Sequence, residues 1–132
     1  MASETPARCA ALVGPYLSGK TTLLESILFA TGRIDRKGKV TDGNTVGDGA
    51  PEARARQMST EMNVATTDYL GDEWSFIDCP GSIEFQQEMR HAVMVADSVV
   101  VVAEPDPSKA MMLAPLFRFL DDHEIPHILF VN

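Results

Sequence analysis

No stretch of this chain approaches the ~18 consecutive apolar residues needed to cross a bilayer. Its first eight residues, Met-Ala-Ser-Glu-Thr-Pro-Ala-Arg, hold no apolar signal core. These two lacks predict a soluble, cytoplasmic protein with no membrane partner. Basic charge is also short: 11 Lys and Arg stand against 19 Asp and Glu, for a net charge of -8. That balance argues against a general electrostatic grip on nucleic acid, so no direct DNA binding is expected, and any contact with RNA requires a local basic patch. The two cysteines, Cys9 and Cys79, form neither a metal-binding spacing nor a disulfide framework and read as reduced thiols. His91, His123 and His127 lack metal-ligand spacing as well. There is no internal repeat or low-complexity tract, and 132 residues make one domain, too short for two.

What is present begins with Gly14-Pro15-Tyr16-Leu17-Ser18-Gly19-Lys20-Thr21, which fits the phosphate-binding pattern G-x-x-x-x-G-K-[ST]. It follows an apolar segment, Cys9 to Val13, and precedes a helix-like run, Leu23 to Phe29. A glycine-flanked loop can turn successive N–H groups inward onto a phosphate, Lys20 adds a point charge, and Thr21 adds a hydroxyl ligand for Mg²⁺. The N-terminus of the following helix adds a further pull on anions. Bound nucleotide is the expectation.

The remaining pattern predicts a first strand over Arg8 to Gly14 and a helix over Lys20 to Thr31, with Leu23, Leu24, Ile27 and Leu28 on one face and Gly32 as its stop. From Arg33 to about Met62 the chain is polar and broken by glycines at 38, 43, 47 and 49 and Pro51, the character of a long functional loop. Val64 to Leu70 and Trp74 to Ile77 read as a hairpin turning at Gly71-Asp72. A helix is expected from about Ser82, burying Phe85, Met89, Ala92 and Val93. Ser98 to Ala103 is a valine-rich run typical of a parallel strand covered on both faces. Pro107 to Leu120 reads as a crossover helix that Pro115 must interrupt, unless its regular part starts there. His127 to Val131 reads as another buried strand. Strand, helix, hairpin, helix, strand, helix, strand implies an α/β, three-layer P-loop NTPase fold, mostly parallel with one antiparallel hairpin strand, the phosphate loop lying at a carboxyl edge. Met111 and Met112 read as core filler.

A second motif stands at the end of the hairpin, where an apolar strand runs into Asp78-Cys79-Pro80-Gly81. Such a D-x-x-G can reach Mg²⁺ through its carboxylate and a γ-phosphate through its glycine N–H, and it is equally a good turn sequence. With the loop at 14–21 and this order of elements between them, the chain resembles the GTP-binding domain of translation elongation factor G and its relatives among the translational GTPases. The phosphate loop (14–21) resembles theirs. Thr41 to Asp48 and Ala53 to Thr67, within a span of about 33–62 and just beyond, resemble their long first switch. Ile77 to Phe85 resembles their Asp-Thr-Pro-Gly-His-x-x-Phe second switch, about 78–90, and Phe130-Val131-Asn132 resembles the start of their Asn-Lys-x-Asp guanine signature.

The resemblance implies GTP or GDP with Mg²⁺ as cofactors, the ribosome as partner of the full-length protein, and GTP hydrolysis as activity. It places the nucleotide against Gly14, Pro15, Tyr16, Leu17, Ser18, Gly19, Lys20, Thr21, Thr22, Asp78, Cys79, Pro80, Gly81, Ser82 and Asn132, and Mg²⁺ against Thr21, Ser59 and Asp78. Lys20, Gly81 and Ser82 take the catalytic positions. Three departures stand out. Arg56-Gln57-Met58-Ser59 replaces the family's Arg-Gly-Ile-Thr, with Thr60 as the neighbouring alternative to Ser59. Ser82 stands where the family has the water-orienting histidine, which implies hydrolysis slowed by ~10² or more, or dependent on another group. The chain ends before the lysine and aspartate of the guanine signature, and the expectation is an incomplete domain of a longer protein, lacking its C-terminal strand and helix. Two rival readings are a P-loop kinase or ATPase acting on a small molecule, and a non-hydrolysing relic that only senses nucleotide. Arg54 and Arg56 read as solvated loop charges, His91 lies too far along its helix to replace a histidine at 82, and Asp97 ends that helix.

Overall fold

The computed structural model describes residues 7–15, 17–34, 63–79 and 86–132. Its elements run in the expected order: β1 (Arg8–Val13), α1 (Lys20–Ala30), β2 (Asn63–Tyr69), β3 (Asp72–Asp78), α2 (Gln86–Val95), β4 (Ser98–Ala103), α3 (Pro107–Ala110), a 3₁₀ turn (Met111–Leu113), α4 (Ala114–Asp122) and β5 (His127–Val131). The strands form one sheet in the order β2-β3-β1-β4-β5. Among these strands only β2 is antiparallel to its neighbour; β3, β1, β4 and β5 run parallel.

Side-chain alternation divides the core between the two faces of this sheet. Leu12 faces α1, where it meets Leu24 and Leu28, with Ala65, Phe76 and Val100 packed alongside. Ala11, Val13, Ile77, Val99, Val101 and Ala103 face the other way, against Ala92 and Val93 of α2, Leu113 of the 3₁₀ turn and Leu120 of α4. The result is three layers, with the valine run of β4 buried from both sides. Asp97 closes the α2–β4 junction by accepting from the Cys9 N–H at 2.8 Å, while its own N–H donates to the Cys9 carbonyl at 2.9 Å.

α1 stops where Thr31 turns its hydroxyl back onto the carbonyls of Ile27 and Leu28, followed by Gly32 at φ +76°. Pro115 interrupts the segment after β4 as expected: α3 ends at Ala110, and α4 restarts with Pro115 in its first turn, where a missing N–H leaves no helical bond unmade.

Two expectations are corrected. The hairpin turns at Leu70-Gly71, because both take positive φ (+52° and +87°) and Asp72 already pairs with Tyr69. Met111 is 82% exposed and fills no core, since the 3₁₀ turn directs Leu113 inward in its place; the side chain of Met112 lies outside the described residues. Among the described residues β5 pairs with β4 alone, and Ile128 is 65% exposed and Phe130 39%. The expected start of α2 near Ser82, and Phe85, lie outside the described residues, as does 35–62.

Candidate functional site

The loop between β1 and α1 is built on backbone angles that few side chains tolerate. Gly14 sits at φ +147° and Gly19, the residue before α1, at φ +99°. A Cβ on Gly14 would lie 2.1 Å from the carbonyl oxygen of Val102, so the start of the loop and the end of β4 can approach only without a side chain there. A Cβ on Gly19 would meet the Asn132 amide at 2.3 Å.

Lys20 opens α1 yet is buried, with 6% of its surface exposed. Its ammonium donates to the carbonyls of Pro15 (2.8 Å) and Gly14 (3.2 Å) and to the Ser18 hydroxyl (3.4 Å). Burial pushes its pKa down to about 8, opposed by the attraction of Asp78 and Cys79. A buried cation beside a glycine loop at a helix N-terminus is an arrangement suited to an anion.

The parallel pairing of β1 with β3 sets Asp78 level with Leu12, and the Cys79 N–H extends that ladder by donating to the Leu12 carbonyl at 3.1 Å. Asp78 is thereby delivered, fully buried, to the start of α1, where the Thr21 hydroxyl donates to its Oδ2 at 2.7 Å. The two motifs, 57 residues apart, are joined by this bond. Thr21 and Asp78 offer a hydroxyl and a carboxylate, hard oxygen donors that suit Mg²⁺. Among the described residues no group of three or more His, Cys, Asp or Glu gathers to hold a metal. That donor set fits an ion that keeps water and phosphate oxygens in its shell, as Mg²⁺ does.

Asn132 reaches the same place from the far side of the sheet. Its backbone N–H donates to the Ala103 carbonyl at 2.8 Å, prolonging the β4–β5 ladder, and its side-chain amide donates to the Ser18 carbonyl at 3.2 Å. Pro15, Ser18, Gly19, Lys20, Thr21, Asp78 and Asn132 therefore converge at the carboxyl edge of the sheet. Leu17, at φ +58° and half exposed, and Thr22, exposed on the first turn, border them. Tyr16, Ser59, Pro80, Gly81 and Ser82 lie outside the described residues, as do Arg54, Arg56 and Thr60. Val102 enters the site through its carbonyl, a backbone contact with no signature in sequence. No disulfide joins the cysteines. His91 is exposed, and His123 and His127 each turn Nδ1 to a local carbonyl, away from this edge. No described helix is long and apolar enough to cross a membrane.

Residues 5–132 match the family model described as the elongation factor Tu GTP binding domain. The chain is 57% identical over 125 residues to the elongation factor G-like protein of Synechocystis, covering 95% of this chain and 19% of that protein. It is 33% identical over 115 residues to elongation factor G 2 of Streptomyces coelicolor, covering 87% of this chain and 17% of the relative. A crystal structure of a Thermus thermophilus protein superposes with a TM-score of 0.84 at 30% identity, over 95% of this chain and 19% of that one. The fold is that of a P-loop GTPase domain fragment. The chain thus spans less than a fifth of the length of these relatives.

Proposed function

Because this chain belongs to the family of elongation factor Tu GTP binding domains, we propose that it is the guanine-nucleotide module of an elongation factor G-like translation factor. The observation that carries this reading is the convergence of Lys20, the Thr21–Asp78 pair and Asn132 around one glycine loop. Lys20 neutralises the β- and γ-phosphates, and the loop N–H groups and the α1 N-terminus cradle them. Thr21 and Asp78, with Ser59 from the first switch, hold Mg²⁺, which when bound neutralises charge on the phosphate oxygens. Gly81 senses the γ-phosphate and draws the second switch into place, so that nucleotide state orders the switches and alters affinity for the ribosome. Hydrolysis is slow, because Ser82 offers no imidazole to orient water.

Competition of GDP, GTP and ATP against a fluorescent guanine nucleotide, with Mg²⁺, tests the reading on the full-length protein. A strong guanine preference is expected. Equal affinity or a preference for ATP refutes it in favour of a small-molecule kinase or ATPase. Single-turnover hydrolysis then separates a slow enzyme from a non-hydrolysing sensor, the alternative that Ser82 favours.

A further inference from the structure

Lys20 is held from three sides by its own loop, and an ammonium has three protons to place. Two of its acceptors are the backbone carbonyls of Pro15 and Gly14, at 2.8 and 3.2 Å. The third is a side chain, the hydroxyl of Ser18, at 3.4 Å, on a residue with only 1% of its surface exposed. A phosphate oxygen that accepts from this ammonium must take over one of those protons, and the longest bond, to a neutral hydroxyl, is the first to yield.

We propose that Ser18 Oγ is a holding acceptor, which satisfies the third proton of Lys20 when no nucleotide is present and surrenders it to the phosphate. This rests on the nucleotide-binding reading above and assigns Ser18 a positioning role that acts through Lys20. The sign of its effect is unusual. The hydroxyl stabilises the nucleotide-free protein alone, so it lowers net affinity, since a ligand gains only the difference between the two states. Removing it leaves a buried N–H without an acceptor until phosphate arrives. The carbonyl of Ser18, which accepts from Asn132, is retained in any substitution.

Equilibrium titration of fluorescent GDP with Mg²⁺ into the nucleotide-free protein at neutral pH, with thermal melts of the same samples, tests the role in wild type, Ser18→Ala and Ser18→Cys. Ser18→Ala is expected to bind GDP roughly 5- to 30-fold more tightly while its nucleotide-free form melts at lower temperature. Ser18→Cys, with a weaker acceptor of similar size, shifts both in the same direction and keeps the test open if the alanine variant fails to fold. In a Lys20→Met background, Ser18→Ala loses its effect on melting. Unchanged or weakened affinity in both variants overturns the holding role, as does an equal melting loss with and without Lys20. A wild-type protein that binds no guanine nucleotide overturns the functional reading and this role with it; a wild type that binds while the variants bind no better overturns the holding role alone.

Discussion

Nucleotide binding is predicted to draw protons into the protein at mildly alkaline pH. Lys20 has a pKa of about 8 in the nucleotide-free fold, against 10.5 for an unperturbed lysine, with burial as the main cause. Phosphate beside the ammonium favours its charged form and restores a high pKa. At pH 8 about half of the free molecules carry a neutral Lys20, so binding takes up about half a proton; near pH 6.5 it takes up almost none. Apparent affinity falls with the charged fraction, by roughly tenfold at pH 9 relative to pH 7. Isothermal titration with Mg²⁺-saturated GDP, in two buffers of different ionisation enthalpy, reads the proton count directly. Intact binding without proton uptake at pH 8 would refute the reasoning, because Lys20 would then be charged before the phosphate arrives. The same shift has a stability consequence opposite in sense to that of a salt-bridged lysine. Between pH 8 and 10.5 the unfolded chain binds the proton and the fold does not, so the Lys20 contribution to stability rises with pH across that window, by ~3 kcal/mol in all.

Other substitutions probe the frame around the loop. Gly14→Ala places a Cβ against the Val102 carbonyl, and a loss of ~2 kcal/mol or more, read by denaturant melts, should accompany loss of GDP binding. Leu70→Gly relieves a left-handed leucine that is 85% exposed, and should stabilise the fold by ~1 kcal/mol with nucleotide affinity unchanged; a lower midpoint in urea would contradict this. Ser82→His in the full-length protein should raise ribosome-stimulated GTP hydrolysis, and a flat rate would remove position 82 from the water-orienting role.

Much of the arrangement was legible because its signals are local. The glycine loop, the apolar period of α1, the valine run of β4 and the Pro115 interruption each follow from residue types and spacing, and each lies where expected. The failures share a cause. Met111 is apolar in a helical segment, but the 3₁₀ turn sets which side chain faces inward. The hairpin register turned on two positive φ values, one of them at a leucine, for which sequence offered no warning.

The class of fold and the residue types gathered at the candidate site could be read from the chain, since a glycine-flanked loop ending in Gly-Lys-Thr, a carboxylate after an apolar strand and an asparagine after another are patterns of residue type. How they meet came from the packing of the strands. Parallel pairing of β1 with β3 brings Asp78 to the Thr21 hydroxyl, β4 and β5 bring Asn132 to the Ser18 carbonyl, and the Val102 carbonyl closes on Gly14. These contacts join residues far apart in the chain, the first between two side chains, the second from a side chain to a carbonyl and the third at the backbone, and strand register brings each pair together. No residue-type pattern records that register, because the ladders are made by carbonyl and N–H groups that every residue, proline aside, carries alike.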